Sequence, residues 1–242
     1  MRTEILGAGV DAVTLEEAAG RVAGLVERGG SHRVITLNPE LLYRAQFDRR
    51  LMEMIRRADL VTADGVGIVW AARLAGRPVP ERVTGIDLML RLAGRAAEAG
   101  WRVFLLGAAP GVAEKAGSEL CRLFPGLVVA GTHHGYFLEK DSPEVAKAVR
   151  RARADLLFVG MGAPRQELWL EEHLPATGAA VGMGVGGSLD VLAGVARRAP
   201  EWVQRLGAEW LYRLVKEPSR WRRQLVLPLF AWLVVRRYVL KV

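Results

Sequence analysis

The chain has 242 residues, of which 51% are hydrophobic, so it can bury a substantial core and is not a disordered protein. A single cysteine, Cys121, excludes an internal disulfide framework and a cysteine-rich metal site. The formal net charge of +8 lies in residues 197–242, which hold 11 Lys/Arg and 3 Asp/Glu, and the first 196 residues are neutral overall. A neutral body with a basic end favours contact of that end with an anionic surface, either a membrane or a nucleic acid.

Short apolar runs alternate with helical patterns along the first 196 residues. The predicted strands are residues 34–37, 60–63, 103–106, 127–130, 156–159 and 179–185. The predicted helices include residues 39–56, 86–99, 111–124, 143–153 and 164–173. Because near-continuous apolar strands alternate with helices, we predict an α/β, Rossmann-like domain with a mostly parallel sheet and helices on both faces. Ligands of such sheets bind beyond the carboxyl ends of the strands.

Polar side chains follow the first two predicted strands. Thr36 and Asn38 are two residues apart and therefore point to the same side of an extended chain. Asp64 ends the second strand at the position of a catalytic carboxylate, and Gly65 after it permits close approach of a ligand to the backbone. The alternative is that Asn38 and Asp64 only cap the helices that follow them. The sequence leaves both roles open, and for Asn38 the two can coexist.

Glycine-rich turns follow three later strands, at residues 107–111, 160–167 and 182–190. Such a turn at a helix start offers backbone N–H groups and the positive end of the helix dipole to a phosphate, although each could also be a plain tight turn. No Gly-x-Gly-x-x-Gly follows the first strand, which disfavours a dinucleotide-dependent oxidoreductase. His133 and His134 follow another strand, but no third ligand is suitably spaced, so we predict no metal site and no cofactor.

The basic segment 197–242 also contains four of the seven tryptophans. Apolar residues recur at helical spacing between residues 202 and 215, and the longest uncharged apolar run, residues 225–235, is too short for a membrane span of ~20 residues. We predict a catalytic domain (1–196) and a basic, Trp-rich helical appendage (197–242) that associates with an anionic membrane surface. A helical hairpin packed on the body, or an oligomer contact through the same apolar face, is the alternative.

Seven stretches, taken in order, resemble the WecG/TagA/CpsF family of bacterial glycosyltransferases. They are residues 36–40 (TLNPE), 63–67 (ADGVG), 82–88 (RVTGIDL), 104–107 (FLLG), 135–137 (GYF), 160–167 (GMGAPRQE) and 184–190 (GVGGSLD). The resemblance implies a metal-independent, inverting transfer of an amino sugar from a UDP-activated donor. The implied acceptor is a GlcNAc on a polyprenyl diphosphate at the cytoplasmic membrane face. The TagA-type branch transfers N-acetylmannosamine (ManNAc) in the linkage unit of wall teichoic acid, and another branch transfers its uronic acid.

By this resemblance, Asp64 matches the proposed general base. Four residues match the sugar-nucleotide pocket: Thr36, Asn38, Arg82 and Gln166. Three arginines of the basic segment match residues thought to complete the site near the diphosphate: Arg213, Arg220 and Arg223. Four further candidate substrate-binding residues lie in the matching stretches: Gly107, Tyr136, Gly186 and Asp190. The chemistry is consistent with this set, because one base deprotonates the acceptor hydroxyl, and arginines or helix N-termini stabilise the leaving UDP without a metal.

These observations predict a cytoplasmic enzyme that is peripheral on the inner face of the bacterial plasma membrane. The N-terminus has no basic-then-apolar run, so we predict no signal peptide. A transferase of another UDP-sugar for a different surface polysaccharide is the alternative within the family. A nucleic-acid-binding protein, suggested by the basic and aromatic tail, is the alternative of a different class, but it leaves the polar residues at the strand ends without a role.

Overall fold

The computed structural model describes residues 2–216, 221 and 225–241, apart from the side chains of Arg205 and Arg213. Its strands are β1 (Arg2–Ile5), β2 (Ala8–Asp11), β3 (His32–Leu37), β4 (Leu60–Ala63), β5 (Arg102–Gly107), β6 (Val128–His133), β7 (Leu156–Gly160) and β8 (Val181–Gly184). Its α-helices are α1 (Leu15–Arg28), α2 (Pro39–Ala45), α3 (Arg49–Arg57), α4 (Val66–Leu74), α5 (Gly85–Ala99), α6 (Val112–Leu123), α7 (Ser142–Ala152), α8 (Arg165–Thr177), α9 (Ser188–Leu192), α10 (Glu201–Arg205), α11 (Glu209–Lys216) and α12 (Val226–Val235). A 3₁₀ turn (Glu139–Asp141) precedes α7 and a π-helical turn (Arg236–Leu240) continues α12.

Strands β3 to β8 form one parallel sheet in the order β4-β3-β8-β7-β5-β6. This confirms the predicted α/β, Rossmann-like fold with a parallel sheet, and each of its six strands overlaps a predicted one. The antiparallel hairpin of β1 and β2 was not predicted. Its two strands have only four residues each, and β1 buries only every second residue, so they give little hydrophobic signal.

The core lies on both faces of the sheet, as strand β7 illustrates. Leu156 and Phe158 pack in a cluster with residues of α1, α5 and α6, whereas Leu157 and Val159 pack with residues of α7 and α8 on the opposite face. All four side chains are buried. Successive residues of a strand point to opposite faces, so a continuous apolar run is the pattern that a sheet covered on both sides requires.

The predicted helix over residues 39–56 is wrong in one respect, because the structure has two helices there. Helix α2 ends at Ala45 and α3 begins at Arg49. Asp48 starts a new helix at this point. Its carboxylate accepts a hydrogen bond from the Leu51 N–H at 3.2 Å and so caps the N-terminus of α3. The apolar spacing continues across this break, so periodicity alone does not reveal it.

The described part of the C-terminal segment packs on the rest of the chain. Phe230 and Val234 of α12 are buried in the same cluster as residues of β3, β4 and α2. The Leu6 N–H donates to the Tyr238 hydroxyl at 2.8 Å. These contacts agree with the alternative of helices packed on the body, while the division at residue 196 stays a prediction. None of the described helices combines the length and the apolar character that crossing a membrane requires.

Candidate active site

A cleft of about 780 Å³ opens at the carboxyl ends of the sheet strands. Its walls come from the segments that follow β3, β4, β5, β7 and β8, and from residues of α11 and α12. This is the edge of the sheet at which the rule for parallel sheets predicts a ligand site. Eight of the predicted site residues line this cleft: Thr36, Asn38, Asp64, Arg82, Tyr136, Gln166, Gly186 and Asp190.

Of the other four predicted site residues, Gly107 is described and does not line the cleft, and the three arginines lie wholly or partly outside the described structure. Gly107 ends β5 with a φ of 142°, and a Cβ placed on it would lie 2.4 Å from the Gly160 carbonyl oxygen. A glycine is therefore required there for the close approach of β5 and β7, whatever its part in binding. Arg213 belongs to α11, but its side chain lies outside the described structure. Arg220 and Arg223 lie outside the described residues altogether.

Asp64 lies between the end of β4 and the start of α5. Its Oδ2 accepts a hydrogen bond from the N–H of Gly85, the first residue of α5, at 3.2 Å. The helix that follows Asp64 in sequence, α4, has Gly65 at its N-cap and no side-chain cap. The alternative that Asp64 caps the helix after it is therefore wrong. Its carboxylate instead faces the positive end of α5 from within the cleft.

Asn38 and Thr36 both have structural partners. The Asn38 Oδ1 accepts from the Leu41 N–H at 2.9 Å and caps α2, with Pro39 in the first turn. The capping role that the sequence left open is therefore present, and Asn38 lines the cleft as well. The Thr36 hydroxyl donates to the Gly184 carbonyl oxygen at 3.2 Å and joins the ends of β3 and β8.

Gln166 holds together the two glycine-rich segments that follow β7 and β8. Its Oε1 accepts from the Gly162 N–H at 3.1 Å and from the Gly186 N–H at 3.0 Å. Its Nε2 donates to Oε1 of Glu167 at 2.6 Å. Gln166 is only 4% exposed, so this amide fixes the shape of the cleft wall from inside.

Glu167, in the first turn of α8, is a buried carboxyl that is 3% exposed. Burial raises the pKa of this carboxyl to about 7, aided by the charge of Glu40 and opposed by the hydrogen bond from Gln166. No signal in the sequence distinguishes this glutamate from the exposed acids of other first helical turns.

Two ion pairs connect the C-terminal segment to the rest of the chain, and one of them lies in the cleft. Arg82 Nη1 lies 3.5 Å from Oε2 of Glu209 in α11, and both residues line the cleft. Arg198 binds the Asp87 carboxylate with two contacts of 2.7 and 2.8 Å. Burial acts to raise the pKa of the Asp87 carboxyl, but the hydrogen bonds from Arg198 and Thr84 and the charges of Arg198 and Arg82 hold it below its usual value. The sequence predicted no role for Arg198 and no partner for Asp87.

One wall of the cleft is apolar. Trp70 of α4 and Leu227, Phe230 and Ala231 of α12 line it. Leu229 and Trp232, on the same helix α12, are 46% and 52% exposed, while Phe230 is buried. The polar strand ends and the apolar helix surfaces therefore meet in one cavity.

Among the residues described here, no three His, Cys, Asp or Glu side chains lie together in a group that could hold a metal ion. The two adjacent histidines contact each other instead. The His133 Nδ1 lies 2.7 Å from the His134 carbonyl oxygen, and the ring centroids are 4.7 Å apart.

The fold and the cleft together indicate a class of protein. A strand-end carboxylate, arginine side chains and glycine-rich helix starts at the carboxyl edge of a parallel sheet are typical of enzymes that bind phosphorylated substrates. The sequence matches the model of the glycosyl transferase WecG/TagA/CpsF family over residues 3–241. The chain therefore belongs to this family.

Three similar proteins are each named N-acetylglucosaminyldiphosphoundecaprenol N-acetyl-beta-D-mannosaminyltransferase. The relative from Bacillus spizizenii is 36% identical over 203 residues, which cover 84% of this chain and 78% of the relative. The relative from Bacillus subtilis has the same identity and coverage. One from Staphylococcus aureus is 33% identical over 237 residues, which cover 97% of this chain and 92% of the relative.

Proposed function

We propose that this chain transfers N-acetylmannosamine from UDP-ManNAc to GlcNAc-diphospho-undecaprenol with inversion at the anomeric carbon. The observation that carries the proposal is the convergence of eight predicted site residues in one cleft. The names of these relatives suggest the acceptor and the transferred sugar. The UDP part of the donor comes from the resemblance of the strand-end motifs.

Asp64 is the proposed general base, because it is the carboxylate at the end of β4, the edge strand beside β3, and it lines the cleft. In a single displacement, its carboxylate accepts the proton of the acceptor hydroxyl as that oxygen attacks the anomeric carbon and the bond to UDP breaks. Its hydrogen bond from Gly85 orients the carboxylate.

Arg82 is the proposed stabiliser of the charge that develops on the leaving diphosphate. Its guanidinium is paired with Glu209, and both are partly shielded from solvent, with 21% and 13% of their side chains exposed. A diphosphate is a stronger partner for arginine than one carboxylate, so donor binding would draw Arg82 from Glu209. The tail arginines Arg213, Arg220 and Arg223 remain proposed contributors at the same place.

The acceptor carries a polyprenyl chain, and the apolar wall of the cleft is the proposed path for it. Trp70 and Phe230 line this wall, and Trp232 and Leu229 continue the apolar surface outside it. We propose that this surface and the basic residues of the tail hold the protein on the inner face of the plasma membrane. Arg236 and Arg237 follow α12 and are exposed, as membrane contact requires.

The proposed activity is tested by measuring UDP release from UDP-ManNAc with a short-chain GlcNAc-diphospho-lipid. Asp64→Asn should lower turnover by about 10²–10⁴ and leave UDP affinity within a few-fold, because an amide oxygen still accepts from Gly85 but cannot take a proton. Asp141→Asn, at a residue that does not line this cleft, is the matched control. Turnover with UDP-ManNAcA but not with UDP-ManNAc would contradict the proposed donor, and near wild-type turnover in Asp64→Asn would contradict the proposed base.

A further inference from the structure

Glu167 is a buried carboxyl for which the proposed reaction has no use. Its Oε1 accepts the hydrogen bond from Gln166, whereas its Oε2 is buried and has no hydrogen-bond partner within the described part of the chain. Burying a polar atom without a hydrogen bond costs free energy of folding, so the buried position of the Glu167 carboxyl needs an explanation. The neighbouring amide provides one.

The amide of Gln166 can point in only one direction. Two backbone N–H groups, of Gly162 and Gly186, converge on one of its two terminal atoms, so that atom must be the oxygen. The nitrogen then points at Glu167, which must accept. A glutamate beside Gln166 therefore selects the amide orientation that joins the two glycine-rich segments.

The space around this pair is filled. A Cβ built on Gly184 of β8 would lie 2.5 Å from the Gln166 Nε2 and 2.9 Å from the Glu167 Oε1. Strand β8 therefore presses on both side chains and leaves the amide no room to rotate. The Gly184 carbonyl oxygen in turn accepts from Thr36, which lines the cleft.

We propose that Glu167 is a positioning residue of the donor site, acting through Gln166 on the cleft wall at Gly162 and Gly186. This inference rests on the proposed function, because it assigns the cleft wall to donor binding. Glu167 does not touch the ligand. It fixes the orientation of an amide that shapes the surface on which the UDP part of the donor lies.

The charge of Glu167 adds a second property to the proposed role. An ionised carboxylate accepts from the Gln166 amide more strongly than a protonated one. Glu40 of α2 faces the carboxyl with a further negative charge and is itself paired with Arg44 at 2.9 Å. Strand β8 brings no ionisable side chain to this contact. The strength of the positioning hydrogen bond therefore varies with pH near neutrality.

The test compares three single variants with the wild type and then repeats one of them in a Gln166→Ala background. Glu167→Leu removes the acceptor without leaving a large cavity, and Glu167→Gln keeps an acceptor oxygen but cannot ionise. Glu172→Leu, on the same helix with 56% of its side chain exposed, is the matched control. Hydrogen exchange at the Gly162 and Gly186 amides is measured without ligand, and UDP affinity is measured by calorimetry.

Glu167→Leu should raise exchange at both glycine amides and weaken UDP binding by about 10-fold, the scale of losing one hydrogen bond. Glu167→Gln should stay within about threefold of the wild type, and Glu172→Leu should be unchanged. In a Gln166→Ala background, Glu167→Leu should have no further effect on UDP affinity, because Glu167 acts only through that amide.

Unchanged exchange and affinity in Glu167→Leu, or additive losses in the double variant, would overturn the positioning role alone. Failure of the wild type to bind UDP would overturn the proposed function, and with it the assignment of this wall to the donor. If Glu167→Leu does not fold, Glu167→Gln decides: its UDP affinity relative to the wild type must change between pH 6 and pH 8. A ratio that is constant with pH would overturn the inference.

Discussion

Phe230 of α12 provides a direct test of whether the C-terminal segment is part of the folded core. Its ring is 2% exposed, packs in the cluster that contains residues of β3 and β4, and lines the cleft. Replacing a buried phenylalanine with alanine costs about 3–5 kcal/mol, because apolar burial is lost and a cavity remains. For a chain of this size, this loss lowers the melting temperature by about 6–20 °C.

The measurement is thermal and urea unfolding of Phe230→Ala, monitored by circular dichroism and by tryptophan fluorescence. Trp232→Ala is the matched control, because it removes a large aromatic side chain that is 52% exposed on the same helix. It should change the free energy of unfolding by no more than about 0.5 kcal/mol. The same control should weaken binding to anionic vesicles, because Trp232 belongs to the proposed membrane surface.

An unchanged unfolding curve for Phe230→Ala would refute this reasoning. It would mean that α12 opens independently of the sheet and that the segment 197–242 behaves as a separate unit in solution. A loss of stability of the expected size would instead show that α12 and the sheet unfold together as parts of a shared core.

Three further outcomes are expected. Turnover should persist in excess EDTA, and a loss that Mg²⁺ or Mn²⁺ restores would contradict the metal-independent mechanism. Glu167 has a pKa of about 7 in the folded protein and 4.5 ordinarily, so the stability it adds is present below pH 4.5 and is lost as the pH rises through 7. Relative to Glu167→Gln, the wild type should therefore lose about 3 kcal/mol of unfolding free energy between pH 4.5 and pH 8 in urea titrations. Gly184→Ala should weaken UDP binding measured by calorimetry, because its Cβ would displace Gln166, whereas Gly24→Ala, which has open space around it, should not.

The sheet and the location of the cleft could be predicted because both follow from local patterns. Runs such as residues 156–159 are apolar at every position, which a strand covered on both faces requires. Parallel strands bring their carboxyl ends to one edge of the sheet, so the sequence predicts that Thr36, Asp64 and Gly186 lie at the same edge. The break between α2 and α3 was missed because Asp48 interrupts a helix without interrupting its apolar spacing.

The contacts that were not predicted depend on distant parts of the chain. Asp87 and Arg198 are 111 positions apart, and nothing near either residue indicates the other. The burial of Glu167 depends on the absence of a side chain at Gly184. A charged residue in the first turn of a helix is ordinarily exposed, and nothing in the local sequence marks Glu167 as an exception.

The C-terminal segment contributes both polar and apolar side chains to the cleft. The proposed donor is a charged nucleotide and the proposed acceptor carries a long hydrocarbon chain, so the two substrates require opposite surroundings. The sheet side of the cleft offers glycine-rich backbone and Arg82, while α12 offers Phe230 inside and Trp232 outside. Glu209 of α11 pairs with Arg82, so the same C-terminal segment also contacts the residue proposed to hold the diphosphate. A shift of α11 or α12 on a membrane surface would therefore change both the apolar path and the charge available to the donor. Under the proposed function, membrane attachment and completion of the cleft are two effects of the same helices.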